Sequence, residues 1–278
     1  MKFSVLMSVY AKDDPAFLQS SLESIYDSQT VKPDEIIIVF DGHLSPSLTD
    51  VLYRFMEGRE NVVRFLPQET NRGLGEALRI GQSACHGDYI FRMDADDISR
   101  SDRFEKQVGY LTEHPEIDVL GTATEEFLQS PGDLESICSF PAEHERIAKL
   151  AKKRNPINHM TVCIRREALM RVGGYETMLY LEDYYLWLRM LAAGCRFANL
   201  SEPLVDVRVG NGFYARRSAN RQVKGWKALQ QFMLREKMIT RMRATINMLT
   251  VRIFVLIPPF FKKWIYRHLM RRKKKNTL

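Results

Sequence analysis

At 278 residues, 45% hydrophobic and 27% charged, the chain has the balance of a soluble globular protein and the interior for one large domain, alone or with an appendage. Its net charge of +7 is uneven: residues 203–278 hold 19 Lys and Arg against two acids, a surplus of 17, so the remaining body carries −10. That split excludes a uniformly basic nucleic-acid binder, which would leave the acidic body without a role, and points to an anionic surface met by one end of the molecule.

Cys85, Cys138, Cys163 and Cys195 show no C-x-x-C spacing, so reduced structural thiols and a cytosolic setting are expected. Residues 3–9 after Lys2 imitate a signal start. The run is short and Lys12-Asp13-Asp14 interrupts it, so it reads as a buried first strand. Asp13 or Asp14 caps a helix with Pro15 in its first turn and Phe17, Leu18, Leu22, Ile25 and Tyr26 along one stripe. A second buried strand at 35–40 ends on Asp41-Gly42. A helix near 45–57, a strand at 62–66, a helix at about 75–84 and the apolar run Tyr89-Ile90-Phe91-Arg92-Met93 follow. This β-α-β-α order predicts an open, mostly parallel sheet flanked by helices. Further elements are expected as a helix to Glu113, a strand at 119–121, helices at 143–153 and 167–172, a strand at 161–165, and an amphipathic helix at 181–193 with Trp187, Leu188 and Leu191 facing inward.

In such sheets the ligand lies beyond the carboxyl ends of the strands, where Tyr10, Asp41 and Asp94 fall. Neither G-x-G-x-x-G after the first strand nor G-x-x-x-x-G-K-[ST] occurs, which removes dehydrogenase and P-loop readings. Asp94-Ala95-Asp96-Asp97 supplies closely spaced oxygen ligands for Mg²⁺ or Mn²⁺; taken alone, the same residues also suit a solvated turn. Asp41 is either a turn-former beside Gly42 or an acceptor for a base or ribose. Glu182-Asp183 opens a helix, as dipole-stabilised acids or as a general base with its neighbour. His159 fits a hydrogen-bonded loop histidine or a metal or phosphate contact. Arg208, Arg216 and Arg217 flank Gly210-Asn211-Gly212, as a basic surface loop or as guanidinium forks for a diphosphate.

In order, these residues resemble glycosyltransferase family two, the inverting, nucleotide-sugar-dependent enzymes of GT-A fold. The likeness spans about 3–217: Ser4-Val5-Leu6-Met7-Ser8-Val9-Tyr10, residues 36–42, Asn71-Arg72-Gly73 with Ala77-Leu78, and Asp94-Ala95-Asp96-Asp97. It continues with Gly173-Gly174-Tyr175, Glu182-Asp183-Tyr184-Tyr185-Leu186-Trp187 and Arg208-Val209-Gly210. The resemblance implies that Asp41 and the Ser8, Val9 and Tyr10 backbone hold uridine. It places Asp94 by the ribose and Asp96 on the metal, with Asp94 and His159 as further ligands. Arg72, Arg208, Arg216 and Arg217 complete the donor site, and Asp183, beside Glu182, deprotonates the acceptor. Many relatives have Asn where Arg79 stands and His where Gly210 stands, so other groups must compensate in that loop.

The implied activity moves a hexose, galactose or glucose, from a UDP-sugar to GlcNAc-diphospho-undecaprenol or a similar polyprenyl-diphosphate acceptor in bacterial O-antigen, capsule or exopolysaccharide synthesis. A sugar-nucleotide pyrophosphorylase is the alternative, but residues 10–15 lack its glycine-rich, lysine-containing loop. The chain divides as a catalytic domain over 1–217 and a helical basic region over 218–278. Residues 246–261 are apolar but interrupted by Asn247, Arg252 and Pro258-Pro259, so no transmembrane helix is expected. An interfacial helix with Leu249, Ile253, Leu256 and Ile257 towards lipid, backed by the basic residues 271–275, fits an enzyme peripheral on the cytoplasmic face of the membrane; the alternative is an ordinary helix packed on the domain with a solvated basic end.

Overall fold

The computed structural model describes residues 1–178, 181–210, 219–257 and 272–273. Its centre is four parallel strands in the order β3-β2-β1-β4: β1 (Phe3–Tyr10), β2 (Glu35–Asp41), β3 (Val63–Pro67) and β4 (Tyr89–Met93). Parallel neighbours need crossovers, which α1 (Pro15–Ile25), α2 (Pro46–Met56) and α3 (Leu74–Ala84) supply. The Asp14 carboxylate caps α1 by accepting from Ala16 N at 2.8 Å and Phe17 N at 3.2 Å, and the Ser45 hydroxyl caps α2. Successive strand residues point to opposite faces, so Val5, Met7 and Ile38 pack with Leu18, Leu22 and Leu52. Leu6, Ile37 and Val39 pack with Ala77 and Leu78. Burial on both faces is why these strands read as continuous apolar runs.

Past β4 the sheet continues antiparallel through β8 (Cys163–Arg165), β6 (Val119–Phe127), β7 (Ser136–Cys138) and the two-residue β10 (Arg272–Lys273). β6 also runs parallel to β9 (Phe197–Arg208), whose end pairs with the short β5 (Ile98–Ser99). The helices of this half are α4 (Arg103–Glu113), α5 (His144–Ala151), α6 (Arg166–Arg171), α7 (Glu182–Ala192), α8 (Ala219–Arg235) and α9 (Arg241–Leu256). The α/β sheet flanked by helices that the element order predicts is therefore present.

Three departures are local. Residues 159–161 form a 3-10 turn ahead of β8 instead of the start of a strand. β6 runs to Phe127, six residues beyond the expected end. Its buried Glu125 is held by Arg100 at 2.5 Å and Glu126 accepts from Ser136 Oγ at 2.8 Å, so both carboxylates are paired inside. The short β5, β7 and β10 and the long β9 have no counterpart among the expected elements. The four cysteines are all buried and free, and burial pushes the Cys85 and Cys163 thiols up to about 12, as inert structural thiols require.

Candidate active site

Tyr10 and Asp41 are register partners at the carboxyl ends of β1 and β2. Met7 pairs with Met93, the last residue of β4, so the acidic turn that follows leaves the sheet beside the end of β1. Ser8, Val9, Tyr10, Asp41 and the acidic turn thus share the edge where open α/β sheets take ligands. Buried Asp41 accepts from Arg72 N at 2.7 Å and Gly73 N at 3.0 Å, which fastens the loop ahead of α3 across the end of β2. Gly42 permits this approach: its φ is +87°, and a Cβ there would sit 2.7 Å from Asn71 N. The Arg72 contribution is this amide, while its guanidinium is exposed beside Glu76. Arg79 pairs with the same Glu76, on the outer face of α3.

The acidic turn is fixed from three sides. Ser21 Oγ donates to Asp94 O at 2.8 Å, Arg92 holds the Asp94 carboxylate in an ion pair, and Asp97 accepts from Arg208 N at 3.0 Å. Arg208 reaches the turn because β9 pairs with β5. Its guanidinium lies 3.7 Å from the centre of the Phe17 ring and 4.5 Å from that of Phe127, with Nε 3.3 Å from Asp96 O. Asp96 presents an exposed side chain, Asp94 is half-buried, and Asp97 is enclosed. Burial and the charges of Asp94 and Asp96 push the Asp97 carboxyl well above the usual range.

The second acidic centre opens α7. Asn155 Nδ2 donates to Asp183 Oδ2 at 2.6 Å, and Tyr184 N donates to Asp183 Oδ1 at 2.7 Å, so the carboxylate is held in one orientation. Glu182 packs against the start of α3, since a Cβ on Gly75 would lie 3.2 Å from Glu182 Cβ.

Tyr175 feels the charge of both centres. Its phenol is buried and pushed up by that burial; Arg92 opposes the shift, and the carboxylates of Asp183, Glu182 and Asp94 reinforce it. The same hydroxyl is 2.9 Å from His159 Nε2. Gly174 (φ +71°) lets the Gln82 amide approach closely enough to accept from Tyr175 N at 2.9 Å, and Arg189 donates to Val172 O, Gly174 O and Glu176. The Gly-Gly-Tyr turn is thereby bolted to both α3 and α7.

The structure therefore seats Glu182 on the start of α3, two residues from the Gly73 amide that Asp41 fastens, and sets Asp94, Glu182 and Asp183 within electrostatic reach of the Tyr175 phenol. His159 lies against that phenol, its Nε2 engaged by Tyr175 and its ring edge-on to Trp187 at 5.9 Å; burial and Arg92 hold its pKa well below the usual value. Arg216 and Arg217 lie outside the described residues.

The model of the glycosyl transferase family 2 matches residues 4–179 of this chain. The chain belongs to that family. An uncharacterized glycosyltransferase of Haemophilus influenzae is 44% identical over 82% of this chain and 84% of its own length. The Escherichia coli UDP-Gal:alpha-D-GlcNAc-diphosphoundecaprenol beta-1,3-galactosyltransferase is 39% identical over 98% of this chain and 97% of its own. In fold, the crystal structure of S. aureus TarS 1–349 in complex with UDP-GlcNAc superposes with a TM-score of 0.65 at 15% identity, over 92% of this chain and 72% of that one. The expected GT-A fold is borne out, and this family 2 chain is a glycosyltransferase.

The donor set of the glycosyltransferase suits a hard divalent cation. Asp96 and Asp94 offer only carboxylate oxygens, and among the described residues no three His, Cys, Asp or Glu side chains converge to hold an ion unaided. Such a pair would leave most of a Mg²⁺ or Mn²⁺ shell to oxygens of water and substrate, as these ions usually take it. Three site residues escaped the sequence reading. Arg92 reads as part of an apolar run, although residues i and i+2 of a strand share a face and Asp94 is two residues on. Asn155 and Tyr175 carry no local signal for the contacts they make, because both partners come from distant segments.

Proposed function

We propose that this glycosyltransferase moves galactose or glucose from its UDP-sugar to GlcNAc-diphospho-undecaprenol, with inversion, in surface-polysaccharide synthesis. The observation that carries the reading is that Asp41 fastens the loop ahead of α3 while Glu182, beside Asp183, packs on the first residues of the same helix, so one acidic centre fit for a nucleotide and another fit for an attacking hydroxyl share the end of the parallel sheet. The full-length likeness to the E. coli galactosyltransferase supports the choice of donor and acceptor. Nothing in the site favours the nucleotidyltransferase alternative.

In this reading the Ser8, Val9 and Tyr10 backbone and Asp41 hold uridine. Each Asp41 oxygen takes one amide hydrogen and keeps a lone pair for the base. Asp94 lies by the ribose, and Asp96, with Asp94, would hold the metal. Arg208 would meet the diphosphate, a role assigned also to Arg216 and Arg217, which lie outside the described residues. A bound Mn²⁺ or Mg²⁺ would neutralise charge on the leaving UDP. Asp183 takes the proton of the acceptor hydroxyl as its oxygen bonds to the anomeric carbon, while the carbon–phosphate-oxygen bond breaks on the opposite face and UDP leaves with the electron pair. His159 positions Tyr175 through its Nε2 contact. Incubation of labelled UDP-Gal and UDP-Glc with GlcNAc-diphospho-undecaprenol in detergent tests the whole: acceptor-dependent UDP release with one donor is expected, and none with either would overturn the reading.

Asp96→Ala is expected to erase the gain in UDP affinity that Mn²⁺ confers on the wild type, a loss of at least about tenfold by calorimetry, with metal-free affinity unchanged. Retention of the gain would remove Asp96 from the metal site.

We also propose that residues 218–278 seat this catalytic body of residues 1–217 on the inner membrane face. Among the described residues no helix is long and apolar enough to cross a membrane. α9, however, exposes Met242 (73%), Ile246, Leu249, Ile253 and Leu256 (82%) in one stripe at helical spacing, while Ala244 and Asn247 face the protein. Ile257 is half-buried, so the apolar stripe is shifted towards the start of the helix relative to the sequence reading. Flotation with phosphatidylglycerol vesicles is expected for the wild type, weaker at high salt. It should fall at least about tenfold in Ile253→Asp/Leu256→Asp, because each side chain fully buried in lipid is worth roughly 1.5–3 kcal/mol. Equal flotation of both proteins would place the stripe elsewhere.

A further inference from the structure

The turn between α8 and α9 encloses an open hollow of ≈ 730 Å³, far from the carboxyl edge of the parallel strands in chain position and built from other elements. Five cationic side chains line it: Lys152 at the end of α5, Arg235 as the last residue of α8, Lys237 just after it, and Arg241 and Arg243 at the start of α9. The acid bonded within this set is Glu236, whose carboxylate takes Arg235 Nε at 3.0 Å, so a large positive excess remains. Nothing in the donor site uses these residues.

The cations are held by rigid parts. Lys237 adopts φ +55°, with its N–H donating to Leu234 O at 3.1 Å and the next N–H donating to Met233 O at 2.8 Å, a helix-ending turn usually given to glycine. Met233, Met238 and Ile239 pack this turn onto Leu181, Tyr184 and Leu188 around α7. Asn247 donates to Lys152 O and to Gln230 Oε1, both at 2.9 Å, which ties α9 to the end of α5.

We propose that this hollow is a second anion site, which receives the diphosphate of the lipid-linked acceptor. The inference rests on the acceptor class proposed above, and chain order supports it. Lys152 is three residues from Asn155, whose amide orients Asp183, so their Cα atoms are at most about 11 Å apart. Met242, which begins the exposed stripe of α9, stands in the chain between Arg241 and Arg243, both of which line the hollow. Attacking hydroxyl, sugar ring, diphosphate and hydrocarbon chain thus meet Asp183, the Asn155 segment, the cationic hollow and the apolar stripe in the order in which the acceptor carries them.

The test uses full-length protein in EDTA, with hexyl diphosphate as the probe and calorimetry as the readout. Arg241→Ser/Arg243→Ser is expected to weaken binding at least about tenfold, and Lys237→Gly, which removes a cation while relaxing the turn, should weaken it in the same direction. With metal restored, both variants should raise KM for hexyl GlcNAc-diphosphate. KM for the UDP-sugar and turnover of the hexyl glycoside of GlcNAc, which lacks phosphate, should stay unchanged. The proposal is overturned if wild type does not bind hexyl diphosphate, if the variants bind it equally well, or if they lose only phosphatidylglycerol vesicles, which would make the hollow a general lipid surface. Binding of hexyl diphosphate by a wild type that glycosylates no GlcNAc acceptor would uphold the site and reject the transfer reading instead.

Discussion

Asp183→Asn is expected to lower the rate of sugar transfer by about 10²–10⁴-fold, the usual worth of a positioned proton acceptor, while UDP affinity stays within a factor of two. The amide is isosteric, so acceptor and donor retain their places, but it cannot take a proton. The substitution also has a structural cost. Asp183 now accepts from Asn155 Nδ2 through one oxygen and from Tyr184 N through the other, and an amide has one oxygen to offer. One donor must then face another, at roughly 1–3 kcal/mol. The double variant Asn155→Asp/Asp183→Asn separates the two effects, because it exchanges carboxylate and amide between the two positions. The amide on α7 can then donate to the carboxylate of the loop and keep its oxygen for Tyr184. Thermal stability should return and transfer should not. Recovery of transfer along with stability would show that Asp183 serves only to hold Asn155.

Gly174→Ala should be the most damaging small substitution in the molecule. Its φ of +71° costs an alanine about 1–2 kcal/mol, and the added Cβ would lie 1.8 Å from Gln82 Nε2, inside any tolerable contact. Gln82 must move, yet its Oε1 accepts from Tyr175 N in a buried position. Strain and a broken buried hydrogen bond together predict a loss of about 2–4 kcal/mol, a fall of about 3–7 °C in Tm for a chain of this size. Tyr175 should shift with it, so transfer is expected to fall more than UDP binding does. In Gln82→Ala/Gly174→Ala the overlap is gone, and the two losses should sum to less than additive. Full additivity would mean that the Gln82 contact is not the cause.

The parallel half of the fold was legible because local and global preferences agree there. Asp14 and Pro15 start a helix, residues 35–40 are continuously apolar, and Gly42 marks the turn over the strand end. β9 was not legible, for a definite reason. Ser201, Glu202 and Pro203 read as a turn, and proline demotes a strand. In the structure Leu200 pairs with Thr122 and Pro203 with Ala123, so Ser201 and Glu202 bulge out and the strand resumes on the same neighbour. Missing β9 concealed where Arg208 goes, and with it the lock on Asp97. For the site, the acids themselves were visible as Asp41, Asp94-Ala95-Asp96-Asp97 and Glu182-Asp183. Their partners were not, because the Asn155 contact, the Tyr175 junction and the Gln82 contact each join segments far apart in sequence.

Arg208 has a consequence for how the molecule must be assembled. Its backbone N–H, its guanidinium and its strand together touch the acidic turn, the first helix and the far end of β6. The pocket proposed for the sugar nucleotide is therefore finished by a residue synthesised more than a hundred positions after the aspartates it steadies. A nascent chain released before β9 would own every carboxylate of that pocket and still lack the clasp that shapes them.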